Sequence, residues 1–242
     1  MKHCDPSTGA CRLPNLANAP AAAHANQQKP LAVHYIGDPM CSWCWGISHA
    51  VAAAAAFCEE AGIDFVLTLG GLRAGGGDAW NAAFKDFLRA EWRHIGQQTG
   101  QPFGFTLLDA PYFDYDTEPA CRAVAVAKHL QHQHGLSARL PLQFFAAIQR
   151  KFYVDGQDPK AVDFYADLCA GSALDFNAFR TLFASAAARQ AVQQDFIRCR
   201  QWGIHAFPTL LLELHGEKIP LAVGAIHADA LLTRLTQALA NH

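Results

Sequence analysis

The order of apolar and polar positions predicts a β-α-β unit near the start of the chain. Leu31–Ile36 and Ile63–Leu69 are short apolar runs rich in β-forming residues, and each is bounded by turn residues. Between them, the alanine-rich segment Ser42–Ala61 favours a helix, and Gly62 follows it in the position that helix C-caps prefer. Two strands joined by one helix are therefore expected here.

The pattern then becomes helical for more than a hundred residues. In residues 72–188, apolar residues recur three and four positions apart in successive segments, which predicts a helical insertion. The pattern returns to a helix, two strands and a last helix at Ala191–Trp202, Thr209–Leu214, Lys218–Val223 and Ala228–Ala240. The predicted fold class is α/β, with the order β-α-β, helical insertion, α-β-β-α.

This order suggests three regions. Residues 30–71 and 189–242 are expected to form one α/β domain, and residues 72–188 the helical insertion domain. Residues 1–29 are polar, contain several prolines and are expected to form a flexible N-terminal leader.

Composition and charge narrow the class of protein. The chain has 242 residues, of which 51% are hydrophobic and 17% charged, enough for a substantial core. The net charge of −2, without basic runs, gives no reason to expect nucleic acid or an anionic membrane as a partner. No apolar run is long enough for a membrane span, and Met1–Gln28 lacks the apolar region of a signal peptide. We therefore expect a cytoplasmic protein, in which structural disulfides are uncommon.

Two cysteines lie two residues apart where the first strand gives way to the helix. Cys41 and Cys44 fall within DPMCSWCWG, and a CxxC at this position is typical of redox-active dithiols. The positive end of the helix favours the thiolate form of the first cysteine. We assign Cys41 as the nucleophile and Cys44 as the resolving cysteine. A tetrahedral zinc site would need two more ligands, and the spacing of Cys4 and Cys11 is looser than is usual for zinc.

Four further residues are predicted to contact substrate. Ser42 and Trp43 lie between the two cysteines, and Trp43 is expected to be exposed there. Pro208, in the segment FPTL, precedes a strand, and by itself it could be an ordinary trans proline that opens the strand. Together with the upstream CxxC in a β-α-β unit, it is predicted to follow a cis peptide bond. The backbone of Phe207 would then offer an edge to an extended substrate.

Taken together, these features resemble the thioredoxin superfamily, and the long insertion resembles its DsbA-like branch. Within that branch the chain is similar to predicted protein disulfide isomerases of the bacterial cytoplasm, the FrnE-like group. The similarity covers about residues 31–240 and rests on five motifs: DPMCSWCWG, GGLRAG (Gly70–Gly75), TGQPF (Thr99–Phe103), EPACRA (Glu118–Ala123) and FPTL (Phe207–Leu210). The resemblance implies a thioredoxin fold, an active site of Cys41, Cys44 and cis-Pro208, and no organic cofactor.

The chain departs from this pattern at two points. Many members carry a buried acidic residue on the first strand beneath the CxxC, where this chain has His34 and Tyr35. His34 is a candidate base in its place, or else a solvated strand histidine. Cys4 and Cys11 lie outside the similarity, and three interpretations are open: a second redox pair, a small metal site with His3, or thiols without a role.

The expected function is that of a thiol–disulfide oxidoreductase or isomerase acting on protein or peptide disulfides. Glutathione or a thioredoxin-type protein would be the recycling partner. One alternative is a zinc- or copper-binding or chaperone module that uses Cys41 and Cys44 with Cys4 and Cys11. Another is a glutathione-using relative of the kappa type. Those enzymes have a serine-type site in place of two cysteines, so the presence of Cys44 argues against this alternative.

Overall fold

The computed structural model describes residues 4–5, 7–12 and 31–241 of the chain. Its strands are β1 (Cys4–Asp5), β2 (Ala10–Arg12), β3 (Ala32–Gly37), β4 (Asp64–Leu69), β5 (Ala206–Phe207), β6 (Thr209–Leu214) and β7 (Glu217–Val223). Its helices are α1 (Ser42–Gly46), α2 (Ser48–Ala61), α3 (Ala82–Thr99), α4 (Glu118–Gln133), α5 (Leu140–Tyr153), α6 (Ala166–Gly171), α7 (Phe176–Ala184), α8 (Ala186–Gln201) and α9 (Ala228–Ala240). Short 3-10 helices occupy Thr106–Asp109 and Val162–Tyr165.

The main sheet is mixed and has the strand order β4-β3-β6-β7. Strand β3 is central, pairing parallel with β4 and antiparallel with β6, and β7 returns antiparallel beside β6. All six residues of β3 are buried, which explains why the strand is apolar apart from His34 and Gly37. The predicted order, with two strands before the insertion and two after it, is confirmed.

The helix after β3 is interrupted, which the alanine-rich pattern does not predict. Helix α1 ends at Gly46, Ile47 has a non-helical backbone, and α2 begins at Ser48. Gly46 lies so close to α3 that an added Cβ would come within 2.8 Å of Ile95. A larger residue would therefore push the two helices apart at this point. Gly62 ends α2 in the left-handed conformation, as predicted.

The central segment is helical from α3 to α7, as its periodicity predicts, and carries an aromatic core. The Trp92 ring lies 5.8 Å from Phe103, 5.2 Å from Tyr153 and 6.2 Å from Phe152, measured between ring centroids. Trp92, Phe152 and Tyr153 are fully buried, and burying each large aromatic side chain stabilises the fold by about 1.5–3 kcal/mol. None of the helices in the described ranges has the length and apolar character of a membrane span.

A short hairpin lies within the segment that the sequence predicts to be a flexible leader. Strands β1 and β2 pair antiparallel, and β2 also pairs with β5 in a separate three-stranded sheet. The turn follows from local chemistry: the Asp5 carboxylate accepts hydrogen bonds from the backbone N–H and the hydroxyl of Ser7, at 2.9 and 2.6 Å. We call residues 4–5 and 7–12 the N-terminal hairpin.

Candidate active site

The two cysteines of the CxxC lie at the carboxyl end of β3. Cys41 is the N-cap residue of α1 and has an extended backbone, and its N–H donates to the Asp38 carbonyl at 3.0 Å. Cys44 follows in the first turn of α1. Both are free thiols and both are fully buried. The turn thus places a potential nucleophile and a resolving thiol one helical turn apart, beneath the surface.

The cis-proline segment faces the first of these cysteines. The Phe207–Pro208 peptide bond is cis, as the sequence predicts. The Cys41 thiol donates to the Phe207 carbonyl oxygen, with 3.8 Å between sulfur and oxygen. Residues more than 160 positions apart in the chain therefore meet at one site, and Cys41, Cys44, Phe207 and Pro208 are brought together.

The surroundings of Cys44 keep its thiol protonated. Burial raises the pKa of Cys44 well above its ordinary value, and the neighbouring Cys41 raises it further. The backbone N–H of Asp38 and the hydroxyl of Tyr35 act in the opposite direction, because both favour the thiolate. Cys44 is therefore a protonated thiol in this environment, and a thiolate formed there would be stabilised by Asp38 and Tyr35.

Tyr35 is the side chain of β3 that lies beneath Cys44. Its ring is buried and packs edge-to-face against Phe145, at a centroid distance of 5.7 Å. Burial and the Cys44 charge both raise the pKa of the Tyr35 hydroxyl, which therefore stays protonated and can donate. From the sequence, this position was noted as the place of a buried acidic residue in related proteins, but no role was predicted for Tyr35.

His34, the candidate base, is not brought to the cysteines. Its neighbour Tyr35 faces Cys44, so alternation along the strand directs His34 to the other side of the sheet. There its Nε2 lies 2.7 Å from the Glu213 carboxylate, and its ring meets Trp202 edge-to-face at 5.0 Å. Burial lowers the pKa of His34, against the opposing effect of Glu213. His34 is a buried partner of Glu213 and has no place in the mechanism proposed below.

Asp38 is a buried carboxyl group that the sequence analysis did not single out. Its two oxygens accept hydrogen bonds from the backbone N–H groups of Met40, at 2.8 Å, and Leu72, at 2.7 Å. Burial raises the pKa of Asp38, while those hydrogen bonds and one from Thr117 act against the rise. The carboxyl group therefore ties the turn before Cys41 to the GGLRAG segment. An acidic residue directly between a buried strand and a CxxC was the signal available for finding it.

The motifs in the middle of the chain converge on this turn. Leu72 of GGLRAG donates to Asp38, and Cys121 of EPACRA also lies against the Asp38 carboxyl group. The Trp45 indole N–H donates to the carbonyl of Pro102 in TGQPF, at 2.9 Å. These segments thus position the CxxC turn from three directions.

The expectation that Trp43 is exposed is wrong. Its side chain is 2% exposed and Ser42 is also buried. The Trp43 ring meets His94 edge-to-face at 5.9 Å, and Gly9 of the N-terminal hairpin lies directly against it. The sequence could not show this, because the covering residue lies more than thirty positions away in a separate segment.

A groove of about 540 Å³ opens beside Trp43, and its wall includes Gly9 of the hairpin. Three histidines, His49, His94 and His227, line it. Its size is in the range of small-ligand sites. The groove adjoins the CxxC helix on the side covered by the hairpin.

The other cysteines fall into two groups. Cys58, Cys121, Cys169 and Cys199 are fully buried, and burial raises the pKa of each thiol. Cys4 and Cys11 lie opposite each other in the N-terminal hairpin. His3 lies outside the described residues. Among the residues that the structure describes, no three histidine, cysteine or acidic side chains are grouped so as to hold a metal ion.

Comparison with known proteins shows which solved structures have this architecture. No protein-family model and no curated protein matches the chain. Among solved structures, it is similar to a candidate protein disulfide isomerase from Nitrosomonas europaea, at 29% identity and a TM-score of 0.75, with 88% of this chain and all of that one covered. It is also similar to the cytosolic disulfide reductase DsbM from Pseudomonas aeruginosa, at 28% identity, a TM-score of 0.69 and coverage of 88% and 100%.

Two further matches bear on the ligand and on the alternative function. DsbM has also been solved with glutathione, and that structure has a TM-score of 0.66 to this chain at 28% identity, with 87% and 100% covered. A 2-hydroxychromene-2-carboxylate isomerase shares the fold alone, at 14% identity and a TM-score of 0.55, with 87% and 95% covered.

The fold is a thioredoxin fold with a helical insertion, and its site is a CxxC facing a cis-proline. The chain is a DsbA-like protein of the thioredoxin superfamily.

Proposed function

We propose that this protein is a thiol–disulfide oxidoreductase that acts on protein or peptide disulfides through Cys41 and Cys44. The observation that carries the proposal is the meeting of the CxxC with the cis-proline segment, where the Cys41 thiol lies 3.8 Å from the Phe207 carbonyl oxygen. The similarity to DsbM, a disulfide reductase, supports reduction as the direction.

In that direction, the Cys41 thiolate attacks one sulfur of a substrate disulfide. The substrate S–S bond breaks, one substrate thiolate leaves and takes up a proton, and a mixed disulfide joins Cys41 to the other half. Cys44 then loses its proton and attacks the Cys41 sulfur, which releases the second substrate thiolate. Two electrons have passed to the substrate, and Cys41–Cys44 is now a disulfide.

The surroundings suggest how each step is assisted. The Phe207 carbonyl positions the Cys41 thiol at the strand edge before it loses its proton, and the Tyr35 hydroxyl stabilises the Cys44 thiolate during the second step. Ser42, Trp43, Phe207 and Pro208 remain the proposed substrate contacts. In the structure, however, the edge of β5 is paired with β2 and Trp43 is covered. Substrate binding at this edge therefore requires the N-terminal hairpin to move aside.

Glutathione is the proposed recycling thiol. Two glutathione molecules would reduce the Cys41–Cys44 disulfide and leave as one glutathione disulfide. The glutathione-bound structure of DsbM supports this choice, and the groove beside Trp43 has a suitable size and three imidazoles that could accept or donate hydrogen bonds to a peptide. By the same similarity to a cytosolic protein, we propose a location in the bacterial cytoplasm.

The direct test is reduction of a fluorogenic peptide disulfide by the purified protein, with glutathione, glutathione reductase and NADPH as the electron supply. Cys41→Ser should abolish turnover, and Cys44→Ser, mixed with the substrate in the absence of glutathione, should form one mixed disulfide and then stall. Cys169→Ala is the matched control, because it removes a buried cysteine of the insertion. Turnover that survives in Cys41→Ser would contradict the proposal. Stoichiometric metal in protein prepared without added ions would favour the metal-binding alternative.

A further inference from the structure

The N-terminal hairpin places two cysteines directly opposite each other. In the antiparallel pairing of β1 with β2, Cys4 is the register partner of Cys11, and Asp5 is the partner of Ala10. Directly opposed residues of antiparallel strands have Cα atoms about 4.5–5.5 Å apart. Disulfides join Cα atoms about 4.4–6.8 Å apart, so the backbone suits a Cys4–Cys11 disulfide without rearrangement.

The same hairpin is docked on the CxxC site. Strand β2 pairs antiparallel with β5, where Cys11 is the register partner of Phe207 and Arg12 of Ala206. Phe207 is the residue whose carbonyl accepts the hydrogen bond from Cys41. The backbone of Cys11 therefore lies beside the residue that holds the nucleophile. Cys4 lies one strand further away.

Close contacts at the turn fix the hairpin in this position. The Thr8 carbonyl accepts a hydrogen bond from the N–H of Ala225 at 3.0 Å. Gly9 has a positive φ of 64°, and a Cβ at this position would lie 2.6 Å from the Ala225 Cβ and 2.8 Å from the Trp43 ring. Only a glycine allows so close an approach with this backbone conformation. The hairpin is thus fitted to the surface over the CxxC helix.

We propose that Cys4 and Cys11 are a second redox pair that exchanges its disulfide with Cys41–Cys44. The backbone of the hairpin occupies the strand edge at which an extended substrate would pair, so the hairpin lies where a tethered substrate would lie. This inference rests on the proposed function and extends it with an internal partner for the same site.

The exchange balances within the chain. The Cys11 thiolate attacks the Cys41 sulfur of the Cys41–Cys44 disulfide, that S–S bond breaks, and Cys44 leaves as a thiolate and takes up a proton. The Cys4 thiolate then attacks Cys11 in the mixed disulfide, and Cys41 leaves as a thiolate. Two electrons have moved from the hairpin to the CxxC pair, which is ready for another substrate. A low-molecular-weight thiol such as glutathione then reduces the hairpin disulfide.

The mixed disulfide can be trapped and identified. The variant Cys4→Ala/Cys44→Ala keeps Cys11 and Cys41 and lacks both resolving cysteines. Trypsin cuts after Lys2, Arg12 and Arg73 but not at the Lys29–Pro30 bond, so the expected product joins peptides 3–12 and 13–73. After oxidation with diamide, non-reducing mass spectrometry should find this pair, with fragmentation assigning the bond to Cys11 and Cys41.

Two matched variants test whether the linkage to Cys41 depends on the docked position of the hairpin or arises from random collisions of the N-terminal segment. Cys11→Ala/Cys44→Ala keeps Cys4, which is not the partner of Phe207, and should give about tenfold less linkage to Cys41 because its effective concentration there is lower. Gly9→Ala, added to the trapping variant, should displace the hairpin and reduce the linkage by about the same factor. Linkage that is absent, or equal from Cys4 and Cys11, or unaffected by Gly9→Ala, would overturn the inference.

The wild-type protein distinguishes this inference from the proposed function. In a glutathione buffer, the proposed function requires a Cys41–Cys44 disulfide within peptide 13–73, and the inference also requires a Cys4–Cys11 disulfide within peptide 3–12. A missing first disulfide would contradict the function itself. If the first forms while the trapping variant shows no linkage, only the internal exchange is excluded.

Discussion

Replacing Tyr35 by phenylalanine should slow the resolving step without disturbing the first attack. The substitution removes one hydroxyl group and keeps the ring that packs on Phe145. That hydroxyl lies against Cys44 and favours its thiolate, while burial and Cys41 raise the pKa of Cys44. Without the hydroxyl, the pKa of Cys44 should rise further, and less thiolate would be present to attack the mixed disulfide.

The size of the effect follows from the hydrogen bond that is lost. A hydrogen bond to a charged group contributes about 1.5–3 kcal/mol, and each 1.4 kcal/mol is about a factor of ten. The resolving rate at neutral pH should therefore fall about 10-fold to 150-fold. Because the missing species is the thiolate, raising the pH should restore much of the loss.

Stopped-flow mixing of the reduced protein with an aromatic disulfide measures both steps. The first release of aromatic thiolate reports attack by Cys41, and the second reports resolution by Cys44. Cys44→Ser identifies the second phase by removing it. Tyr165→Phe is the control, because it removes a buried hydroxyl that donates to Pro159 within the insertion. An unchanged second phase in Tyr35→Phe, with the same pH profile as the wild type, would refute the reasoning.

Three further variants test other parts of the structure. Burial lowers the pKa of His34 below its ordinary 6.5, so the stability that its neutral form contributes is present above that pH and is lost as the pH falls. Urea unfolding should therefore show a smaller loss of unfolding free energy between neutral and acidic pH in His34→Gln than in the wild type. Asp38→Ala leaves two buried N–H groups without a partner and should lower the free energy of unfolding by roughly 2–6 kcal/mol, whereas Asp38→Asn should cost less because it keeps an acceptor. Gly70→Ala would place a Cβ 2.3 Å from the Phe207 ring; calorimetry should show a loss of about 1–3 kcal/mol, and an unchanged melting temperature would mean that the ring yields freely.

The local sequence pattern was sufficient to predict the strand and the helix that carry the CxxC. The strand before the CxxC and the helix after it follow from short stretches in which Gly, Pro and apolar runs mark the boundaries. The cis-proline was predicted from the FPTL segment together with the CxxC upstream. The helix that begins at Ser42 was predicted without its break at Ile47, since the break accompanies a close approach of Gly46 to α3 that no local pattern encodes.

Long-range contacts account for what the sequence could not predict. Trp43 is covered by Gly9, and the edge at Phe207 is paired with β2. Nothing in the sequence between the hairpin and the first long strand predicts either contact. Asp38 was not singled out from the sequence, because its role depends on an N–H of Leu72, 34 residues further along the chain. Each of these features arises from segments that meet only in the folded molecule.

The redox titration of Cys41–Cys44 tests the central claim most directly. It is best made in glutathione buffers on the Cys4→Ser/Cys11→Ser variant, so that one pair titrates, with tryptophan fluorescence and alkylation as readouts. We predict one two-electron transition that Cys41→Ser abolishes, with a midpoint nearer the ~−270 mV of thioredoxin than the ~−120 mV of strong oxidants. Absence of a transition, with thiols that react only after a chelator is added, would contradict the assignment and favour a metal site.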